Sequence, residues 1–239
     1  MYIIQGFDKE SIAYNMPQFF EIQGTMDKNR IEATFKALVI RHEALRTYFD
    51  TVGEEIVQKI DNNYEFELKG RMVDQDIEEI VNNFVKFFNL NKAPLFRAEI
   101  VITKNKSYLL IDMHHIISDG VSMSILINEF VELYNGGELQ PLNLQYKDFA
   151  AWQNNFLKSE EMKKQEEYWV NIFSDEIPVL NMPTDYERPV IQTFDGDIVS
   201  FKLDEKKTRD LRNLSKETGT TMNMILLSIF NILLSKYSG

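Results

Sequence analysis

Asp112-Met113-His114-His115-Ile116-Ile117-Ser118-Asp119-Gly120-Val121-Ser122 is the stretch from which both fold and chemistry are read. The run before it, Ser107 to Met113, is almost continuously apolar and reads as a strand covered on at least one face. After it, Ser122 can cap a helix with Ile125, Leu126, Phe130 and Leu133 on its stripe, closed by Asn135-Gly136-Gly137. Loops that leave a buried strand and open a helix are where scaffolds place reactive groups. Imidazole titrates near neutrality, so a histidine there suits proton transfer or hydrogen-bond acceptance. Successive residues leaving a strand point to opposite sides, so one of His114 and His115 is expected to face a cavity and the other the interior. Asp119 can hold the loop by meeting a cation or backbone N–H groups, and Gly120 permits close approach of the backbone to a ligand.

Working outward, Phe96 to Thr103 and Ser107 to Met113 flank Lys104-Asn105-Lys106 and read as a hairpin. Gln18 to Gln23 reads as another strand, and Thr47 to Asp50 with Glu55 to Ile60 reads as a second hairpin around Gly53. Asp27 can cap a helix with Ile31, Phe35, Leu38, Val39 and Leu45 on one stripe. Asp74 can cap a helix with Ile77, Ile80, Val81, Phe84 and Phe88 on one face, and Ser159 can start another running through Met162, Tyr168, Trp169, Ile172 and Phe173. Interleaved helices and strands make the class α/β, with a mixed sheet and helices packed on it. Ile177 to Pro189 holds three of the six prolines and reads as an extended linker. Beyond it are expected a strand, Asp197 to Leu203, and two helices, Asp204 to Thr218 and Thr220 to about Tyr237. The last is apolar on nearly every side and is expected to be buried.

The chain has 239 residues, a net charge of -11 and no Cys. The acidic balance argues against nucleic acid as a partner. The lack of Cys removes disulfides and thiolate chemistry, and fits a reducing, cytoplasmic setting. No apolar run reaches the ~18 residues of a membrane span, so no membrane partner is expected. A metal site needs three or four ligands, and the only other histidine is His42, so no metal is expected. No Gly-x-Ser-x-Gly elbow supports a Ser/His/Asp triad. His42 falls on the apolar helical stripe and is expected as a satisfied core histidine. Trp152 and Trp169 are expected in the core.

His114-His115-Ile116-Ile117-Ser118-Asp119-Gly120 resembles the HHxxxDG motif of condensation domains of nonribosomal peptide synthetases. Arg41 to Phe49 resembles that family's RHExLRTxF block, and Tyr146 to Trp152 its YxDFAxW block. Tyr168-Trp169 followed by Leu180 to Asp185 resembles its inter-lobe stretch. Met1-Tyr2 resembles the end of its first block, without the preceding residues. The resemblance implies an α/β sandwich like chloramphenicol acetyltransferase, followed by the beginning of a second such lobe. Residues 1–176 would be the N-terminal lobe, 177–196 the inter-lobe linker, and 197–239 the first strand and helices of an incomplete C-terminal lobe. The chain would be about half of a two-lobe domain.

The implied reaction is peptide-bond formation between two carrier-tethered thioesters, by attack of the acceptor amine on the donor thioester. His115, the second histidine, would be catalytic, as base or as positioning acceptor. His114, Asp119 and Gly120 would support the motif, with Asp119 paired to an arginine. No cofactor would be bound directly. Phosphopantetheine arms would arrive on donor and acceptor peptidyl carrier domains, beside an adenylation domain and the missing C-terminal lobe. The half domain is expected to be inactive alone. Epimerisation domains share the motif, and Gly120-Val121-Ser122 looks more like condensation domains that take an L-configured donor. A stand-alone acetyltransferase of the chloramphenicol type is a further alternative, although its motif lies nearer the C-terminus.

Overall fold

A computed structural model describes every residue except 25, 74–76, 105, 178, 191–192, 194–195 and 239; the side chains of residues 77 and 78 also lie outside it. The expected cap Asp74 and the loop residue Asn105 therefore fall outside the described residues. The chain divides into two compact units, Met1–Ser159 and Glu160–Gly239. The segment expected as a first lobe, residues 1–176, thus contains the first unit and the start of the second.

In the first unit the order is α1 (Tyr2–Phe7), β1 (Gln18–Ile22), α2 (Lys28–Arg41), β2 (Thr47–Val52), β3 (Glu55–Ile60), β4 (Lys69–Met72), α3 (Ile77–Phe84), β5 (Phe96–Ile102), β6 (Ser107–Met113), α4 (Gly120–Tyr134) and α5 (Tyr146–Phe156). A 3-10 turn, Glu43–Arg46, leads into β2. The main sheet has the order β1-β6-β5-β4, antiparallel except for the parallel β4/β5 pair. It is the mixed sheet expected. The β2/β3 hairpin stands as a separate two-stranded sheet. Gly53 there has φ 65°, in the two-residue loop where hairpin turns demand a left-handed residue. The short α1 and β4 carry too little periodicity to be read from sequence, and neither was expected.

The alternation of β5 and β6 sorts their side chains onto two faces. Phe96, Ala98, Ile100, Leu109, Ile111 and Met113 face one way and share a core with Ile31, Phe35, Leu38 and Val39 of α2 and Met123 and Leu126 of α4. On the other face, Val101 and Leu110 pack with Ile80 and Phe84 of α3. Phe35 touches Phe66, Phe96 and Phe130 at ring separations of 5.3, 5.6 and 4.9 Å, within the range of favourable aromatic pairs. Covering both faces is what keeps β6 apolar along nearly its whole length.

The caps follow the expected chemistry with one change. Asp27 accepts the Arg30 N–H at 3.0 Å and starts α2. Helix α4 begins at Gly120, two residues before the expected cap Ser122, because Asp119 takes the cap position. Asn135 ends α4, and Gly136 follows at φ 86°.

The second unit contains α6 (Glu160–Ile172), α7 (Glu205–Thr218) and α8 (Met222–Ser238). Asp204 caps α7 through the Lys207 N–H, Gly219 ends it at φ 65°, and α7 and α8 meet at 106°. No single described helix is long and apolar enough to cross a membrane. The expected strand from Asp197 to Leu203 is not formed: these residues are exposed and without a ladder. A strand needs a neighbour for its backbone groups, and the second unit has no described sheet to supply one. For the same reason α8 is not buried as expected: Ile225 is its one buried residue. Trp152 and Trp169 are also not core, each being 56% exposed. Helices α5 and α6 have no buried residue, so their aromatic residues line up along each helix instead, Phe149, Trp152 and Phe156 spaced 5.5 and 5.3 Å apart on α5.

Candidate active site

The end of β6 decides the fate of the histidine pair. Its alternation turns Met113 to the α2/α4 core and Asp112 and His114 to the opposite face. His114 is completely buried, and the side chain of the next residue, His115, is exposed. The pair is therefore divided, His114 in the interior and His115 at the surface.

His114 is gripped on every side. Its backbone N–H donates to the Leu95 carbonyl at 3.0 Å, and its carbonyl accepts from Ile117 N–H at 3.1 Å and from the Ser118 hydroxyl at 3.3 Å. Its Nδ1 accepts the Ile116 N–H at 3.0 Å, and its Nε2 lies 2.9 Å from the Gln5 Oε1. The rings of Tyr14 and Phe88 lie 5.9 and 6.2 Å away. Burial, with the neighbouring His115 adding to it, pushes the His114 pKa down to about 4, so the ring is neutral at pH 7. The main chain of His115 is held from the same side, its N–H donating to the Tyr14 carbonyl at 2.8 Å.

Among the described residues, Asp119 pairs with no arginine. Its carboxylate accepts the Ser122 hydroxyl at 2.6 Å and the Ser122 backbone N–H at 2.8 Å. These bonds hold its pKa below the usual carboxylate range. The geometry explains the change: at the cap position the side chain turns back onto the first turn of α4, where the helix leaves orphan N–H groups. Gly120 opens α4, and a Cβ placed on it would meet no heavy atom within 4 Å. A cavity of about 140 Å³ lies beside the loop, lined by Met113, Ile117, Ser118, Ser122 and His42 among others.

His42 is half-buried at the end of α2 rather than in the core. Its Nε2 lies 2.5 Å from the Glu129 carboxylate of α4. Arg41 grips the same carboxylate with two bonds of 3.0 and 3.1 Å and donates to the Gln140 carbonyl at 2.6 Å. Burial alone would raise the Glu129 pKa, but the bonds from Arg41 and His42 outweigh it and hold the group ionised. The Arg41-His42 pair thus ties α2 to α4 and to the segment before α5.

Four supporting residues had no role in the sequence reading: Gln5, Asn15, Arg97 and Asp112. Asp112 is completely buried. Its Oδ2 accepts the Asn15 amide at 2.7 Å and lies 3.8 Å from Arg97 Nε. Burial pushes its pKa up to about 6, against the pull of Arg97 and Asn15. The Arg97 guanidinium lies 3.7 Å over the Phe88 ring and donates to the Phe87 carbonyl at 3.2 Å. The β5/β6 register sets Arg97 opposite Asp112, one residue off the pairing with Met113 that strands ending at Thr103 and starting at Ser107 would give. Gln5 and Asn15 carried no signal in the sequence.

The condensation-domain family model matches residues 1–239, the whole chain. Gramicidin S synthase 2 of Aneurinibacillus migulanus is 48% identical over 241 residues, which cover all of this chain and 5% of that protein. Tyrocidine synthase 3 of Brevibacillus parabrevis is 48% identical over 241 residues, covering all of this chain and 4% of that protein. The chain therefore spans about one-twentieth of the length of these curated relatives. Among solved structures, the X-domain from teicoplanin biosynthesis superposes with a TM-score of 0.84 at 22% identity, over 95% of this chain and 55% of that one. The epimerization domain from the third module of tyrocidine synthetase B gives 0.83 at 22%, over 98% and 58%. The condensation domain of Monacolin K polyketide synthase gives 0.82 at 20%, over 100% and 58%. These likenesses establish the α/β condensation-type fold. With a match along its full length and relatives near half identity, the chain belongs to the condensation-domain family of nonribosomal peptide synthetases.

Proposed function

We propose that this chain acts as part of a condensation domain that joins two aminoacyl or peptidyl groups carried as thioesters. The observation that carries the reading is the disposition of the histidine pair: His114 is locked in the interior, and His115 stands exposed at the mouth of the same loop. In the reaction, the acceptor amine attacks the donor thioester carbonyl. A C–N bond forms, the C–S bond breaks, and one proton passes from the amine nitrogen to the departing thiolate sulfur. Thioesters are already activated, so the chief task is alignment of two tethered reactants. His115 accepts the amine proton or the amine hydrogen bond at the moment of attack. Gly120 leaves room for a reacting group beside the first turn of α4.

The arms that carry both substrates belong to donor and acceptor carrier domains, and an adenylation domain loads them. The synthetases related to this chain are far longer than it is, which supports such partners. The chain by itself forms no peptide bond in this reading, because the reaction site needs a second lobe.

The test is His115→Ala in the complete condensation domain, assayed with two loaded carriers. Peptide formation is expected to be lost while the circular dichroism spectrum is unchanged. Substantial peptide from this variant would overturn the role of His115. Exchange of the α-hydrogen of the donor without peptide formation would instead establish epimerisation as the chemistry.

A further inference from the structure

We propose that Gln5 is the positioning residue of the histidine motif: its side-chain carbonyl accepts the His114 Nε2 proton and fixes the tautomer that holds the loop carrying His115. The inference rests on the proposed condensation role and concerns a residue of α1, over a hundred positions away in sequence.

A neutral imidazole has one donor and one acceptor nitrogen. The Ile116 N–H points at His114 Nδ1 from 3.0 Å, so Nδ1 must carry the lone pair. Nε2 then carries the proton. That proton sits on a completely buried ring and needs an acceptor, which the Gln5 Oε1 supplies at 2.9 Å. The amide orientation of Gln5 is set independently, because its Nε2 donates to the Ser11 carbonyl at 3.0 Å. Gln5 is itself only 4% exposed. The four groups therefore form one directed chain, Ile116 N–H to His114 to Gln5 to the Ser11 carbonyl, in which each member has a single consistent orientation. Such chains polarise one another in a low-dielectric interior.

The consequence reaches His115 through the backbone. The tautomer that accepts from Ile116 closes the turn after His115, and the same turn is pinned by Ile117 N–H and the Ser118 hydroxyl on the His114 carbonyl. With the other tautomer, an Nδ1 proton would face the Ile116 N–H, two donors in opposition, and the turn would open. The rings of Tyr14 and Phe88 also lie against His114, at 5.9 and 6.2 Å. The Tyr14 carbonyl and the Asn15 amide grip His115 N–H and Asp112 from the same N-terminal segment. That segment is thus the frame against which the motif is set.

The experiment has two arms. In the first, nitrogen-15 NMR of histidine in this chain at neutral pH reads the His114 tautomer directly. The neutral form protonated at Nε2 is expected. The form protonated at Nδ1, or an imidazolium, would overturn the proposal. In the second arm, Gln5→Met is placed in the complete condensation domain and peptide formation is followed at varied carrier concentrations. The turnover number is expected to fall about tenfold or more, as slight misplacement of a catalytic group does, with KM for both carriers unchanged and the Nε2-protonated signature lost. A wild-type turnover number, or a fall in turnover with the wild-type tautomer kept, would overturn it. Should Gln5→Met fail to fold, the first arm decides alone. A wild-type domain that makes no peptide overturns the proposed function, and the tautomer measurement still decides whether Gln5 holds the motif.

Discussion

Arg97 and Asp112 stand directly opposite each other on β5 and β6, their Nε and Oδ2 atoms 3.8 Å apart, two residues before the histidine pair. The contact is long for an ion pair, and Asp112 is wholly enclosed. Desolvation therefore outweighs the attraction, and the carboxyl pKa is raised to about 6. His114, next but one on the same face, is shifted in the opposite sense, down to about 4.

These two shifts predict opposed pH slopes. A raised carboxylate pKa means that the native state binds a proton more tightly than the unfolded chain, so stability falls as pH rises from about 4 to about 6. A lowered histidine pKa means that the unfolded chain binds the proton more tightly, so stability rises over about the same interval. Asp112→Asn removes the first slope and keeps the second. Its stability relative to wild type, from urea unfolding at a series of pH values, is expected to rise by about 3 kcal/mol between pH 4 and 7. A pH-independent difference would show that Asp112 titrates normally.

Asp119 acts as a helix cap, and its two Ser122 bonds are the reason. Asp119→Ala is expected to cost about 1 kcal/mol in chemical unfolding, and Asp119→Asn only a few tenths, because an amide oxygen still accepts from the first turn. Equal large losses for both variants would point to an ion pair in place of the cap.

Gly120 separates folding from chemistry. Among the described residues, none outside its own turn of helix crowds a Cβ at that position, so Gly120→Ala is expected to change the unfolding free energy by less than about 0.5 kcal/mol. Peptide formation in the complete domain is expected to fall, since a methyl group would stand where the reacting group approaches. Full activity would show that the backbone at this point makes no close approach.

Much of the first unit was legible because its signals are local. Asp27, Gly53 and Asn135-Gly136 each satisfy a geometric demand within a few residues, and each is found in the expected place. The α4 start differs from the expectation because Ser122 and Asp119 are both good caps, and the choice depends on where β6 releases the chain. His42 looked like a core residue because its spacing continues the α2 stripe, but the helix ends at Arg41 and the ring turns to Glu129. By sequence Trp152, Trp169 and α8 look buried, because apolar residues usually are. Burial needs an opposing surface, and no periodicity in a helix says whether one exists.

The sequence by itself determined the class, the β5/β6 hairpin, the motif and the family, because strand alternation, helix spacing and turn chemistry act over a few residues and leave marks in order along the chain. It also determined that His114 and His115 must part, since adjacent residues at a strand end cannot face the same way. Only the tertiary structure decided what holds each of them. Gln5, Asn15 and Tyr14 reach the motif from about a hundred residues away, and Arg97 meets Asp112 across two strands. Hydrogen-bond partners of a buried group are chosen by what the fold brings within about 3 Å, and that proximity is written nowhere in the spacing of the residues themselves.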